Sequence, residues 1–214
     1  MLSPPPSFLE WEWDASSPLL SGETKQFELS GEGNSIATKV DKDDDWENTL
    51  VTRGVMESGK HRISFKVMKG AEKAYYLEVM IGVVRDGAAW NEDHSLTESA
   101  NGWFMSTYCG GLYGNGKQAS DAAGTIKDGQ IVSMELDADA GTLKFWVDGK
   151  PHGPGYTSGV KGRLRWALAT CIKGESVQIV PTPDLEPWKE WDGKNKDETA
   201  DTDKRKRGVI FNII

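Results

Sequence analysis

Residues 136–150, LDADAGTLKFWVDGK, leave little freedom in how they can fold. Leu136 closes an alternating apolar run, and Asp137 through Gly141 supply turn chemistry. Leu143, Phe145 and Val147 then alternate with Lys144, Trp146 and Asp148 at the two-residue period of a half-buried strand. Asp148-Gly149 follows at once, a dipeptide that accepts positive φ at both centres of a tight turn, so a further antiparallel strand is predicted directly after it.

The same alternation recurs along the chain. Ile63, Phe65 and Val67 share one parity, as do Leu77, Val79, Ile81 and Val83. So do Val132, Met134 and Leu136, then Leu164, Trp166 and Leu168, then Val177 and Ile179. Strands are predicted over 35–40, 49–53, 61–68, 75–84, 103–108, 130–136, 163–170 and 176–180. No segment keeps apolar residues at helical spacing for three turns, so the pattern predicts an all-β sandwich or barrel with little helix. A chain of 214 residues suits one large domain with a sizeable core, and 24 glycines with 9 tryptophans fit many turns around an aromatic interior.

Charge and cysteine usage narrow the function classes. A net charge of -8 argues against a general nucleic-acid or anionic-membrane binder, which needs clustered Lys and Arg. Cys109 and Cys171 are too few for a disulfide framework and are expected as free thiols in a reducing compartment. The N-terminus lacks a basic segment followed by an apolar run, and no stretch has the length to span a bilayer. A cytoplasmic protein is expected, with nuclear or cytoskeletal association left open.

Three stretches are expected: an N-terminal extension over 1–45 whose short strands pack on the domain, the domain itself over 46–183, and a C-terminal tail over 184–214. Pro4, Pro5 and Pro6 form an extended lead. Asp41, Asp43 and Asp45 begin with EF-hand spacing, but Trp46 stands where the loop needs glycine and Thr52 where it needs a bidentate glutamate. A solvated acidic loop is the expectation there. Residues 85–102 form the longest polar interruption, containing Trp90, and such loops on rigid β scaffolds tend to carry recognition. The tail ends with Lys204-Arg205-Lys206-Arg207, a minimal import-like quartet outweighed by chance, and an apolar run over 209–214 suited to pairing with a sheet edge or another subunit.

Taken in order, several pieces resemble the SPRY domain, across roughly residues 46–181. They are TLVTRGVMESGKHRISFKV, then LEVMIGVVRD followed by a variable loop, then NGWFMSTYCGGLYGNGK, and finally GTIKDGQIVSMELDADAGTLKFWVDGK, which is similar to the most recognisable hairpin of that family. The resemblance implies a two-sheet antiparallel bent β-sandwich, the concanavalin-like jelly roll, with extended N- and C-terminal tails. It also implies a non-catalytic module that binds a partner peptide or protein surface through loops at one end, as an adaptor or as a structural subunit of a larger assembly. The surface it implies combines the 41–53 region, the loop after Val84, the 108–116 stretch and the turn over 171–174. Its candidate partner-binding residues are Arg53, Arg85, Asp86, Trp90, Tyr108, Tyr113 and Ile172. Each has a competing reading as a fold-bracing or core residue, Trp90 least so.

The concanavalin-like class also holds lectins and glycosidases. Glu135 and Asp137 fit the first two positions of a glucanase Glu-x-Asp-x-x-Glu strand, but Ala140 replaces the third carboxylate, and a retaining pair is incomplete. His61, His94 and His152 have no metal-ligand spacing, no Gly-x-Ser-x-Gly elbow exists, and the glycines over 110–117 lack phosphate-loop spacing. No catalysis, metal or cofactor is expected, and neither nucleic acid nor membrane insertion. Carbohydrate binding, with Trp90 and the other tryptophans as stacking platforms, is the alternative.

Overall fold

The computed structural model describes residues 10–41, 49–70, 77–88, 100–115, 123–191 and 193. Two antiparallel sheets make up the fold. The first has seven strands in the order β1(Phe27–Ser30), β2(Ile36–Lys39), β12(Ser176–Val180), β4(Lys60–Met68), β8(Ile131–Asp137), β9(Thr142–Val147) and β10(Lys150–Pro151). The second has five, in the order β3(Leu50–Val51), β11(Leu164–Thr170), β5(Val79–Arg85), β6(Gly102–Ser106) and β7(Leu112–Gly114). The expected all-β, two-sheet antiparallel sandwich is what forms.

The alternating parities decide which side chains meet between the sheets. Ile63, Phe65, Val67, Val132, Met134, Leu136, Leu143 and Phe145 come from the first sheet, and Val79, Ile81, Val83, Leu164, Trp166 and Leu168 from the second. All are buried in one cluster. The opening hairpin forms as its turn residues dictate. The Asp137 carbonyl accepts the Gly141 N–H at 2.7 Å, and its carboxylate accepts the Ala140 N–H at 2.8 Å. At the second turn Asp148 and Gly149 both take positive φ, 48° and 79°, and pair Lys150 with Val147.

Residues before β3 are knitted into the sandwich. Trp13 bridges Thr52, the Asp14 N–H reaches the Val51 carbonyl at 2.9 Å, and the Arg53 N–H reaches the Glu12 carbonyl at 3.0 Å. The Trp13 ring is 1% exposed and stacks on Phe65 with centroids 5.4 Å apart and planes 10° from parallel. Such a pair contributes about 1 kcal/mol beyond its buried area. Trp11 packs edge-on against Trp166 at 6.0 Å and donates its indole N–H to the Arg62 carbonyl at 2.7 Å.

Residues 181–188 run as an extended strap over the outer face of the seven-stranded sheet. Ser64, Ser133 and Trp146 point outward by strand parity, where solvent would be expected, yet they are 0%, 0% and 3% exposed. The strap explains this. The Ser64 hydroxyl bonds to Ser133 at 2.7 Å and donates to the Thr182 hydroxyl at 3.0 Å. Trp146 donates its indole N–H to the Glu186 carbonyl at 2.9 Å, while the Glu186 N–H reaches the Gly149 carbonyl at 2.8 Å. A side chain at position 149 would meet the Asp184 carbonyl at 2.7 Å, so glycine serves both the turn and the strap's approach. Trp188 closes edge-on against Trp146, centroids 5.1 Å apart, with the Lys144 ammonium 5.8 Å from its ring.

Candidate partner-binding surface

The five-stranded sheet carries the candidate residues at two opposite ends. Antiparallel pairing decides which. Arg85, the end of β5, is opposite Leu164, the start of β11, whereas Val79 at the other end of β5 is opposite Thr170. Six residue steps along β11 put roughly 20 Å between the two ends.

At the first end lie Arg53, Arg85 and Asp86, among charges that are engaged with one another. Asp86 accepts from Arg165 Nε at 2.7 Å and from Arg163 Nη2 at 3.2 Å. Arg165 also reaches Asp14 at 2.7 Å, and Arg163 pairs with Glu57. Arg53 pairs with Glu12 at 2.9 Å in an exposed contact, and the Arg85 guanidinium stands 5.5 Å from the Trp103 ring centre. Burial opposes the charge on Asp14, but bonds from the Ser16 hydroxyl and amide and from Arg165 outweigh it and hold that carboxyl below its ordinary range. These bonds tie the segment before β3 to β5 and β11.

The second end holds Tyr108, Tyr113 and Ile172 around two thiols. Tyr108 lies in the turn after β6, where the Thr107 N–H reaches the Val79 carbonyl at 2.9 Å. Its side chain is 39% exposed, the large apolar group most open to solvent among the described residues. Ile172, half-buried, follows β11 in a turn whose amide donates to the Thr170 hydroxyl at 3.2 Å. β6 and β11 flank β5, so these two turns leave the same end of the sheet from strands about 10 Å apart, two interstrand spacings. Tyr113 on β7 places its hydroxyl 3.8 Å from the Cys109 sulfur, and burial pushes its ionisation well above the ordinary range, helped by Cys109.

Beneath these residues sits Glu175, fully buried. Its carboxylate accepts the Glu78 N–H at 2.7 Å and the Thr170 hydroxyl. Burial raises the Glu78 carboxyl above its ordinary value, against a bond from Cys171. The Cys171 thiol is pushed far up by burial first and by Glu78 and Glu175 second. That thiol stays protonated at neutral pH and does not have the low pKa of an activated nucleophile. Both cysteines are free thiols, each partly buried.

Trp90 lies outside the described residues, as do Asp43, Asp45, the basic quartet and the 209–214 run. No group of three or more metal-ligating side chains forms among the described residues. Glu135 and Asp137 do share the outer face, but Glu135 is bound by Arg62 at 2.7 and 2.5 Å. The Ala140 amide first, with Lys60 helping against some burial, keeps the Asp137 carboxyl below its ordinary value. No helix among the described residues is long and apolar enough to cross a membrane.

Solved structures share this arrangement. The SPRY domain of human HERC1 superposes with a TM-score of 0.58 at 19% identity, over 77% of this chain and 96% of that one. The chain has a SPRY-like fold. The TRIM65 PSpry domain matches with a TM-score of 0.58 at 14% identity, over 80% of this chain and 90% of that one. Stonustoxin matches with a TM-score of 0.58 at 18% identity, over 79% of this chain and 27% of that one. No family model and no curated protein matches the sequence.

What strand parity failed to signal at this surface is the split between its ends. Arg53 closes the predicted strand 49–53 and Ile172 follows the predicted strand 163–170, and only the pairing order sends them to opposite ends of the sheet.

Proposed function

We propose that this protein is a non-catalytic protein-interaction module that binds a partner peptide or surface through the turns at the Tyr108–Ile172 end of its five-stranded sheet. The exposure of Tyr108, in a turn at the same end of the sheet as Ile172, carries the reading, because a few aromatic anchors supply much of the energy of typical interfaces. Arg53, Arg85 and Asp86 are then bracing residues, since each is engaged by a neighbour within the chain. The role is that of an adaptor or of a fixed subunit in a larger assembly in the cytoplasm. Against carbohydrate binding stand Trp13, Trp103, Trp146 and Trp166, all buried, leaving none of these four as a stacking platform.

The experiment is a quantitative pull-down at raised salt with the unaltered chain, Tyr108→Ala/Ile172→Ala and Arg53→Ala. Partners retained by the first and third but lost with the double variant support the reading. Equal recovery by all three overturns the site, and one stoichiometric complex rather than many weak partners identifies a subunit.

A further inference from the structure

The strap over the seven-stranded sheet has the features of a bound peptide. Its backbone is extended, with Pro181, Pro183 and Pro187 along it. An aromatic anchor, Trp188, meets an aromatic wall, Trp146, and the wall's indole N–H reads a strap carbonyl, that of Glu186. One backbone bond, from the Glu186 N–H to Gly149, joins it to the β9–β10 turn, so side-chain recognition holds most of its length. Lys144 lines the space beneath it together with Glu10, Glu135 and Arg62, the last two paired with each other, while the strap brings Asp184 and Glu186. A groove of about 760 Å³ remains between strap and sheet.

A segment needed only to cover an apolar face would be apolar in turn. Here the covered face is Ser64, Ser133, Glu135, Lys144 and Trp146, a polar surface with one aromatic wall. We propose that this outer face is a second peptide-recognition surface, distinct from the Tyr108–Ile172 end. The chain fills it in cis with residues 181–188, and it accepts in trans an extended partner segment of the same chemistry, a tryptophan flanked by prolines and carboxylates. A tethered occupant competes at an effective concentration on the order of millimolar. A partner in trans therefore gains access when the Trp188 anchor is lost or outcompeted.

The probe is a fluorescein-labelled synthetic peptide, PTPDLEPWKEW, titrated against full-length protein. The Trp188→Ala chain is expected to bind it at least tenfold more tightly than the unaltered chain, with unlabelled peptide competing. Adding Lys144→Glu to Trp188→Ala is expected to abolish the gain, as is alanine at the first tryptophan of the peptide. Glu186→Pro is a second way to free the strap, because it removes the N–H donated to Gly149 and alters no core side chain, and hydrogen exchange over β8 and β9 checks that each variant keeps its sheet. Three results overturn the proposal: no saturable binding to either freed chain, equal binding by freed and unaltered chains, or equal binding of the alanine peptide.

Discussion

The two ends of the five-stranded sheet both gather ionisable side chains, and they use them in opposite ways. At the Arg85 end, carboxylates and guanidinia from 17% to 61% exposed neutralise one another, with Asp14, Asp86, Glu57, Arg163 and Arg165 in one network. At the Thr170 end, two carboxyls and a thiol are withdrawn from water beneath an exposed tyrosine. Charge clustering at the first end ties the chain together, whereas the second end turns Tyr108 to solvent.

Breaking the buried end should cost most. Glu175→Ala leaves the Glu78 N–H and the Thr170 hydroxyl without their acceptor, and a buried polar group left unsatisfied costs about 1–3 kcal/mol. A loss near 3 kcal/mol is expected, read as a fall in the urea midpoint with unchanged slope. Arg165→Ala at the other end removes the shared partner of Asp14 and Asp86. With those carboxylates about a fifth exposed, the cost should be smaller, about 2 kcal/mol by thermal melt. If Arg165→Ala proves the more damaging, the contrast between a buried and a neutralised cluster fails.

The binding contrast comes next. Tyr108→Ala should weaken the captured partner by about 2 kcal/mol, roughly thirtyfold, with stability moved by less than about 0.5 kcal/mol. Arg85→Ala should change affinity less than about twofold on the same biosensor surface.

Acid should move the two ends in opposite directions. The Asp14 carboxyl is lowered on folding, so its contribution is present above its ordinary value of 3.8 and lost as pH falls through the lower folded value. Glu78 is raised, so its contribution is present below 4.5 and lost as pH rises through the folded value. The melting gap between the unaltered chain and Asp14→Asn should therefore close on strong acidification. Glu78→Gln should gain on the unaltered chain as pH rises from 4 to 7. Gaps that run in parallel would mean that the two carboxyls share one environment. The smallest effect is expected for Arg53→Ala, under about 0.5 kcal/mol, because the Arg53 and Glu12 side chains are 75% and 53% exposed.

The inner faces of the sandwich were readable because burial on one side imposes a period of two, and Phe65, Met134, Phe145 and Trp166 all occupy the predicted parity. β7 was not, since three residues ending in a glycine at φ 108° hold too few alternations to register. The strap left one trace: Trp146 sits at an outward position where exposure would be costly, and an aromatic of wrong parity signals a covering segment. Nothing local could report that Asp14 and Arg165, 151 residues apart, meet. That contact follows from the pairing of β3 with β11, which depends on the whole sheet.

Both sheets taper. β4 runs nine residues and β8 seven, but their sheet ends at β10 with two residues including Pro151, and the five-stranded sheet ends at β3 with two and β7 with three. A neighbouring chain that tried to extend either sheet would find two or three backbone pairs along these three borders before the ladder ran out. Such borders disfavour end-on stacking into fibrils, and they oblige a visiting segment to be read by side chains rather than by the repetitive grip of an added strand.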